Sequence, residues 1–212
     1  LLLGLMGAGV SIAPLQAQSV LATGSWYKVA VEKNGLYKIS SKTFKKMGFD
    51  LSTTDPRKIK IYGNEGGMLP QPNQAPRPAG LIENAIFVSG EADGKFNSDD
   101  YILFYGQGAD KFFFKESKGI IAYEKNLYAD KNYYFITVSG TNGKRIATDA
   151  EIPGVLPAVT SFENFSYHEL DEYTELKSGR EWFGERFDLT TELTLEADLT
   201  DVMPGSTVKF VS

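Results

Sequence analysis

The chain reads as mainly β: an antiparallel β-sandwich or barrel-like domain with one or two short helices, followed by the start of a second β-sandwich. Three observations point there. β-branched and aromatic residues recur with period two in run after run, as half-buried strands require. The runs are short and closely spaced, and Gly, Asn, Asp and Pro fall between them, the punctuation of antiparallel connections. One stretch alone, residues 40–50, combines helical spacing with a cap and a stop.

Taken in order, the first 27 residues carry no charged side chain and open "LLLGLMGAGVSIAPLQAQS". An apolar run ending in small and polar residues reads as the core and cleavage region of a signal peptide, assigned to residues 1–18, with the basic start and initiator Met missing. Cleavage after Ala17 leaves Gln18 or Ser19 at the mature start. A membrane span is the other reading, but Gly4, Gly7, Gly9 and Pro14 break a run shorter than the roughly 20 residues a span needs.

Residues 19–150 form the predicted β-rich domain. "SWYKVAVEKNGLYKIS" holds two alternating runs around Asn34-Gly35, which predicts a type I′ hairpin because both residues tolerate positive φ. "SSKTFKKMGFD" predicts a short helix, with Ser40 or Ser41 as N-cap, Phe44 and Met47 on one face and Gly48 as the stop. In "PRKIKIYGNEGG", Ile59 and Ile61 point to one side of a strand and Lys58 and Lys60 to the other. Pro70, Pro72, Pro76 and Pro78 lack amide donors, so "LPQPNQAPRPAG" is a stiff loop or sheet edge. "LIENAIFVSG", "DYILFYG", "KFFFK", "GIIAYEKN" and "KNYYFITVSG" each read as a strand. Two strands, in "IKIYGNEGG" and "ILFYGQGAD", share a Tyr-Gly ending before a turn, an echo too short to claim as a duplication.

Charge depletion with Pro153, Gly154 and Pro157 sets a boundary near 151–161, and residues 151–190 follow as an acidic, aromatic connector. In residues 191–212 the alternation of Leu193, Leu195, Ala197 and Leu199, then a Pro204-Gly205 turn, predicts the start of the second β domain.

Composition removes several function classes. The net charge is −5 and no Lys/Arg cluster appears, so no nucleic-acid partner is expected. There is no Cys, which excludes a disulfide, a thiolate metal site and a Cys nucleophile within these residues. Gly106-x-Gly108 has Lys111 where a dinucleotide fingerprint needs its third Gly, and it leads into strand. His168 is the one histidine; the position a zincin would fill with a second His holds Glu172, so a paired, hydrogen-bonded His is the expectation. No Gly-x-Ser-x-Gly elbow accompanies it. No catalytic residue, cofactor-binding residue or metal ligand is assigned.

One stretch, "SGEADGKFNSDDYILFYGQG", leaves a choice. Against an EF-hand-type loop, Asp93 takes the fifth position, Gly94 the sixth, Asn97 the ninth and Asp100 the twelfth, but Ser89 stands first and strands flank the loop. The other reading is a hairpin connection in which Asp93-Gly94 turns the chain and Asn97 or Asp99 caps free amides.

Five stretches together, "SWYKVAVEKNGLYKIS", "IKIYGNEGGMLPQPN", "GEADGKFNSDDYILFYGQGADKFFF", "NLYADKNYYFITV" with "GKRI", and "HELDEYTELKSGREWFGERF", resemble in order the N-terminal region of the PorU-type sortases of the type IX secretion system. The resemblance runs from about Ser25 to Phe187. It implies an exported parent chain, moving from periplasm to outer-membrane cell surface. A downstream gingipain-like, caspase-fold cysteine peptidase would cleave C-terminal sorting domains and attach cargo to anionic lipopolysaccharide. The implied partners are that peptidase domain, other outer-membrane type IX components and cargo proteins. With no Cys here, no catalytic residue of that family maps onto this sequence, and a non-catalytic β accessory region is the expected role. Two alternatives stand beside it: a carbohydrate- or surface-binding β-sandwich using exposed aromatics such as Phe113 or Trp182, and an envelope adhesin or structural protein.

Overall fold

The structure is a computed structural model and describes residues 19–148, 157–177, 182–187, 189, 191–197, 199 and 201–210. Its strands are β1 (Tyr27–Val31), β2 (Gly35–Ser40), β3 (Ile59–Tyr62), β4 (Glu83–Asn84), β5 (Phe87–Val88), β6 (Tyr101–Gly106), β7 (Lys111–Lys115), β8 (Ile120–Glu124) and β9 (Asn132–Val138). One α-helix, α1 (Ser41–Lys46), follows β2. The strands make a four-stranded sheet in the order β1-β9-β3-β4, a three-stranded sheet β2-β6-β5 and a hairpin β7-β8, antiparallel throughout. The predicted signal segment lies outside the described residues.

The alternation read from the sequence decides what is inside. Val31, Ile59, Ile61, Tyr134 and Ile136 from the first sheet meet Ile39, Val88, Ile102 and Phe104 from the second, and Phe44 and Phe96 close one end. This is how a β-sandwich buries two inner faces in one core. Ser40 caps α1 by accepting a hydrogen bond from Thr43 N at 3.2 Å, and Gly48 ends it at φ +100°. The helix, its cap and its stop are where the residue pattern puts them.

The predicted hairpin at Asn34-Gly35 is not formed. β1 pairs with β9 and β2 with β6, so the chain crosses between sheets there and Gly35 lies opposite Gly106. Neither residue has positive φ. Asn34 Oδ1 instead accepts from Gly108 N at 2.8 Å. A tight turn's preference is a local term, and it loses to a pairing that buries Val31 and Ile39 from opposite sheets. Gly35→Ala should therefore be tolerated, raising stability by about 0.4–1 kcal/mol through the unfolded chain. A type I′ turn would make the same change costly, so a urea melt separates the two arrangements.

"LIENAIFVSG" is likewise divided. β4 joins the first sheet and β5 the second, with Ile86 buried between them and its N–H donating to Lys144 O at 3.2 Å. The proline segment is a loop without strand, as expected from its missing donors. In the tail, Gly205 (φ +83°) makes the predicted turn, with Ser206 N donating to Met203 O at 3.1 Å. The alternating run before it forms no ladder among the described residues, and Leu193 and Leu195 stay exposed. Alternation marks a strand's faces; only a paired neighbour makes the strand.

Candidate functional site

Residues 89–100 connect β5 to β6, whose register pairs Phe87 with Leu103 and Val88 with Ile102. The connection is therefore a hairpin loop, and its carboxylates are already engaged. Asp93 accepts from Lys95 N at 2.9 Å and from Asn97 Nδ2 at 3.1 Å. Asp100, 8% exposed, accepts from Asn97 N at 2.7 Å. Glu91 pairs with Arg145 at 2.7 Å, and Arg145 also donates to Pro56 O at 2.9 Å. Gly90 and Gly94 supply the left-handed backbone, and Asp93-Gly94 makes the turn. The caps are Asp93 and Asp100 rather than the expected Asn97 or Asp99.

These hydrogen bonds are those of a hairpin connection, with Asp93-Gly94 as its turn. Among the described residues no three acidic or imidazole groups are grouped to hold a metal. Calcium should leave the melting temperature unchanged; a rise that Asp93→Ala abolishes would restore the ion. The Lys95 amide, helped by Asn97, holds the Asp93 carboxyl below the ordinary Asp range. A depressed folded value means the contribution is complete above about pH 4 and fades as pH falls through that lowered value. A carboxyl NMR titration should place the Asp93 midpoint below the ordinary Asp range, and Asn97→Ala should move it back up.

His168 Nε2 contacts Glu185 Oε1, so the histidine does pair with an acid, but one 17 residues away rather than within "HELDE". The contact holds the Glu185 carboxyl below its ordinary range. Tyr173 and Phe183 exchange backbone hydrogen bonds at 2.9 and 2.7 Å in the same segment. This segment lies against the β7-β8 hairpin. Tyr167 stacks on Tyr123 at 4.1 Å between centroids, and Phe165 meets Phe112 at 5.4 Å. Lys125 pairs with Asp171, and Tyr123 donates to Asp110 Oδ2 at 2.8 Å. Of "SGREWFGE", residues 178–181 lie outside the described residues. Trp182 and Phe183 beside them are 44% and 52% exposed.

The site that residue reading missed lies where the two Tyr-Gly strand ends meet. After β3 the chain runs Gly63-Asn64-Glu65-Gly66, and after β6 it runs Gln107-Gly108. Gly66 N donates to Gln107 Oε1 at 3.0 Å and Gly67 N to Ala109 O at 2.7 Å. Asn132, at the start of β9, spans both, donating to Asn64 O at 3.0 Å and Gln107 O at 3.1 Å. A cleft of about 210 Å³ opens beside this junction, lined by Asn64, Glu65, Asn84, Tyr105, Gln107 and Tyr134, with Ala85. Tyr134 is 2% exposed, and its hydroxyl accepts from Gln107 N at 2.9 Å. Burial pushes that hydroxyl's pKa up. The one signal in the sequence was the repeated Tyr-Gly, which marks two strands ending at the same level of the sandwich.

No protein-family model matches the chain, and no curated protein matches it. Among solved structures, one described as dimeric latent PorU from Porphyromonas gingivalis is similar with a TM-score of 0.48 and 22% identity, over 64% of this chain. The similarity spans 11% of that protein's chain.

Proposed function

We propose that this chain is the non-catalytic N-terminal β accessory region of an exported PorU-type sortase, serving to scaffold or dock a downstream cysteine peptidase domain at the cell surface. The observation that carries the reading is the ordered series of five stretches between Ser25 and Phe187 that resemble that family. Supporting it, four of the five are structural parts of one β unit. They supply β1 and β2, β3 with its glycine loop, the 89–100 connection with β6 and β7, and β9. The fifth contributes the segment lying on the β7-β8 hairpin through Lys125 and Asp171. The composition agrees, since a chain without Cys must leave Cys-dependent acyl transfer to another domain.

The reading frame beyond Ser212 should encode a caspase-like domain carrying a Cys and a His. A stop codon soon after Ser212 would overturn the proposal. Within cells, deleting residues 25–187 from the parent gene should leave cargo with uncleaved sorting domains, and normal cargo attachment would count against a scaffolding role.

A further inference from the structure

The cleft at the Tyr-Gly junction is polar and its walls are hydrogen-bonded, and nothing in the accessory role uses it. Its walls are held from behind. Both ends of the Asn64 amide are engaged, Oδ1 by Ile82 N and Nδ2 by Gly80 O, at 3.1 Å each. Asn84 Nδ2 donates to Gly63 O and Ile82 O, which leaves its Oδ1 a free acceptor among the described residues. Gln107 is the converse: Oε1 is taken by Gly66 N, and among the described residues its Nε2 has no acceptor. The Tyr134 hydroxyl accepts from Gln107 N, and among the described residues its proton has no acceptor although the residue is buried. Glu65 adds an exposed carboxylate, and Tyr105 an aromatic ring that is 55% exposed. Two fixed donors, from Gln107 and Tyr134, thus face one fixed acceptor, from Asn84, and an exposed carboxylate beside an open ring.

That combination selects a ligand chemistry. A hydroxyl both donates and accepts, so adjacent donors and acceptors on planar amide and carboxylate groups match vicinal hydroxyls. A ring with one face of C–H groups gains by lying on an exposed aromatic side chain. No Lys or Arg lines the cleft and Glu65 is acidic, which disfavours phosphates and acidic sugars. One carboxylate is too few for a hard cation. The neighbouring sheet edge, β4, is two residues long and offers no run of ladder groups to a peptide. At about 210 Å³ the space is below the roughly 300–1,000 Å³ of drug-sized sites, which suits a single ring over a larger cofactor.

We propose that this cleft binds one ring of a neutral saccharide, stacked on Tyr105 and hydrogen-bonded by Gln107, Asn84, Tyr134 and Glu65. The site differs from Phe113 and Trp182, the exposed aromatics that sequence alone suggests. It is also independent of the sortase reading, because the test uses the isolated 212-residue chain and asks nothing of a peptidase.

The probes are maltotetraose, cellotetraose, mannotetraose and N-acetylchitotetraose, with tetragalacturonate as the acidic comparison, each titrated against the 15N-labelled chain. At least one neutral probe should shift the amides of Glu65, Gln107 and Tyr105 saturably. Tyr105→Ala should weaken that probe at least tenfold and Glu65→Gln at least threefold. Both side chains are exposed and make no hydrogen bond among the described residues, so unchanged melting temperatures are expected to accompany the losses. The proposal is overturned if no neutral probe shifts these amides, if tetragalacturonate binds as well as the neutral probes, or if binding survives both substitutions.

Discussion

Gly66→Ala is expected to destabilise the fold by about 3 kcal/mol, lowering the urea midpoint with an unchanged m-value. A Cβ at position 66 would stand 2.1 Å from Gly108 O and 3.1 Å from Asp110 O, both backbone atoms. Flexible side chains could move aside; a carbonyl held in the following loop cannot do so alone. The displacement would pull Gly66 N away from Gln107 Oε1 and Gly67 N away from Ala109 O. A lost buried hydrogen bond costs about 1–3 kcal/mol where a group is left unpaired, and overpacking adds a similar amount. Gly63 makes the same demand on the other side of the cleft, where a Cβ would stand 2.3 Å from the Tyr134 ring. A matched control is Gly80→Ala, in the same sheet region, where a Cβ meets nothing within 4 Å and should change stability little. If Gly66→Ala melts like the wild type, the two Tyr-Gly loops do not touch as described.

The contrast among these glycines shows what could be read in advance. Asn34-Gly35 carries the strongest local turn signal in the chain, yet Gly35 sits in open space within a ladder. Turn chemistry is a property of two residues, and the partner of β2 is β6, more than 60 residues away, so no local pattern contains it. Period-two alternation was informative because burial acts on each residue separately: Ile59, Ile61, Ile102, Phe104 and Ile136 all face the core. The 89–100 loop was legible only as a choice. Its carboxylates could be ligands or caps: Asp93 and Asp100 are taken up locally by Lys95 and Asn97, whereas Glu91 is met by Arg145 from 54 residues away, which no local pattern contains. The cleft was hidden for the same reason. Its groups come from the ends of β3, β4, β6 and β9, four separate stretches of sequence, and what makes them a site is their register.

Phe44→Ala should cost about 3–5 kcal/mol, the range for deleting a fully buried aromatic side chain. Phe44 is 0% exposed and stacks on Phe49 at 3.8 Å between ring centroids, with Phe96 edge-on at 5.3 Å. Its ring is thus where α1, the residues after it and the 89–100 loop converge. The loop depends on that contact from both sides: Ser41 N donates to Asp100 O at 3.1 Å, and Ser41 Oγ to Ser98 O at 2.5 Å. Removing the ring leaves a cavity under two hydrogen-bonded segments, so the loss should spread beyond the substituted side chain. Hydrogen exchange should show this as early deprotection of Asn97 and Asp100 amides, at denaturant concentrations where β9 remains protected. Phe44→Leu, which keeps most of the volume, should recover more than half of the lost stability and restore those amides. Uniform deprotection across both sheets would instead mean that the loop and helix have no local stability of their own, and that Asp93, Asn97 and Asp100 are ordered only by the sandwich as a whole.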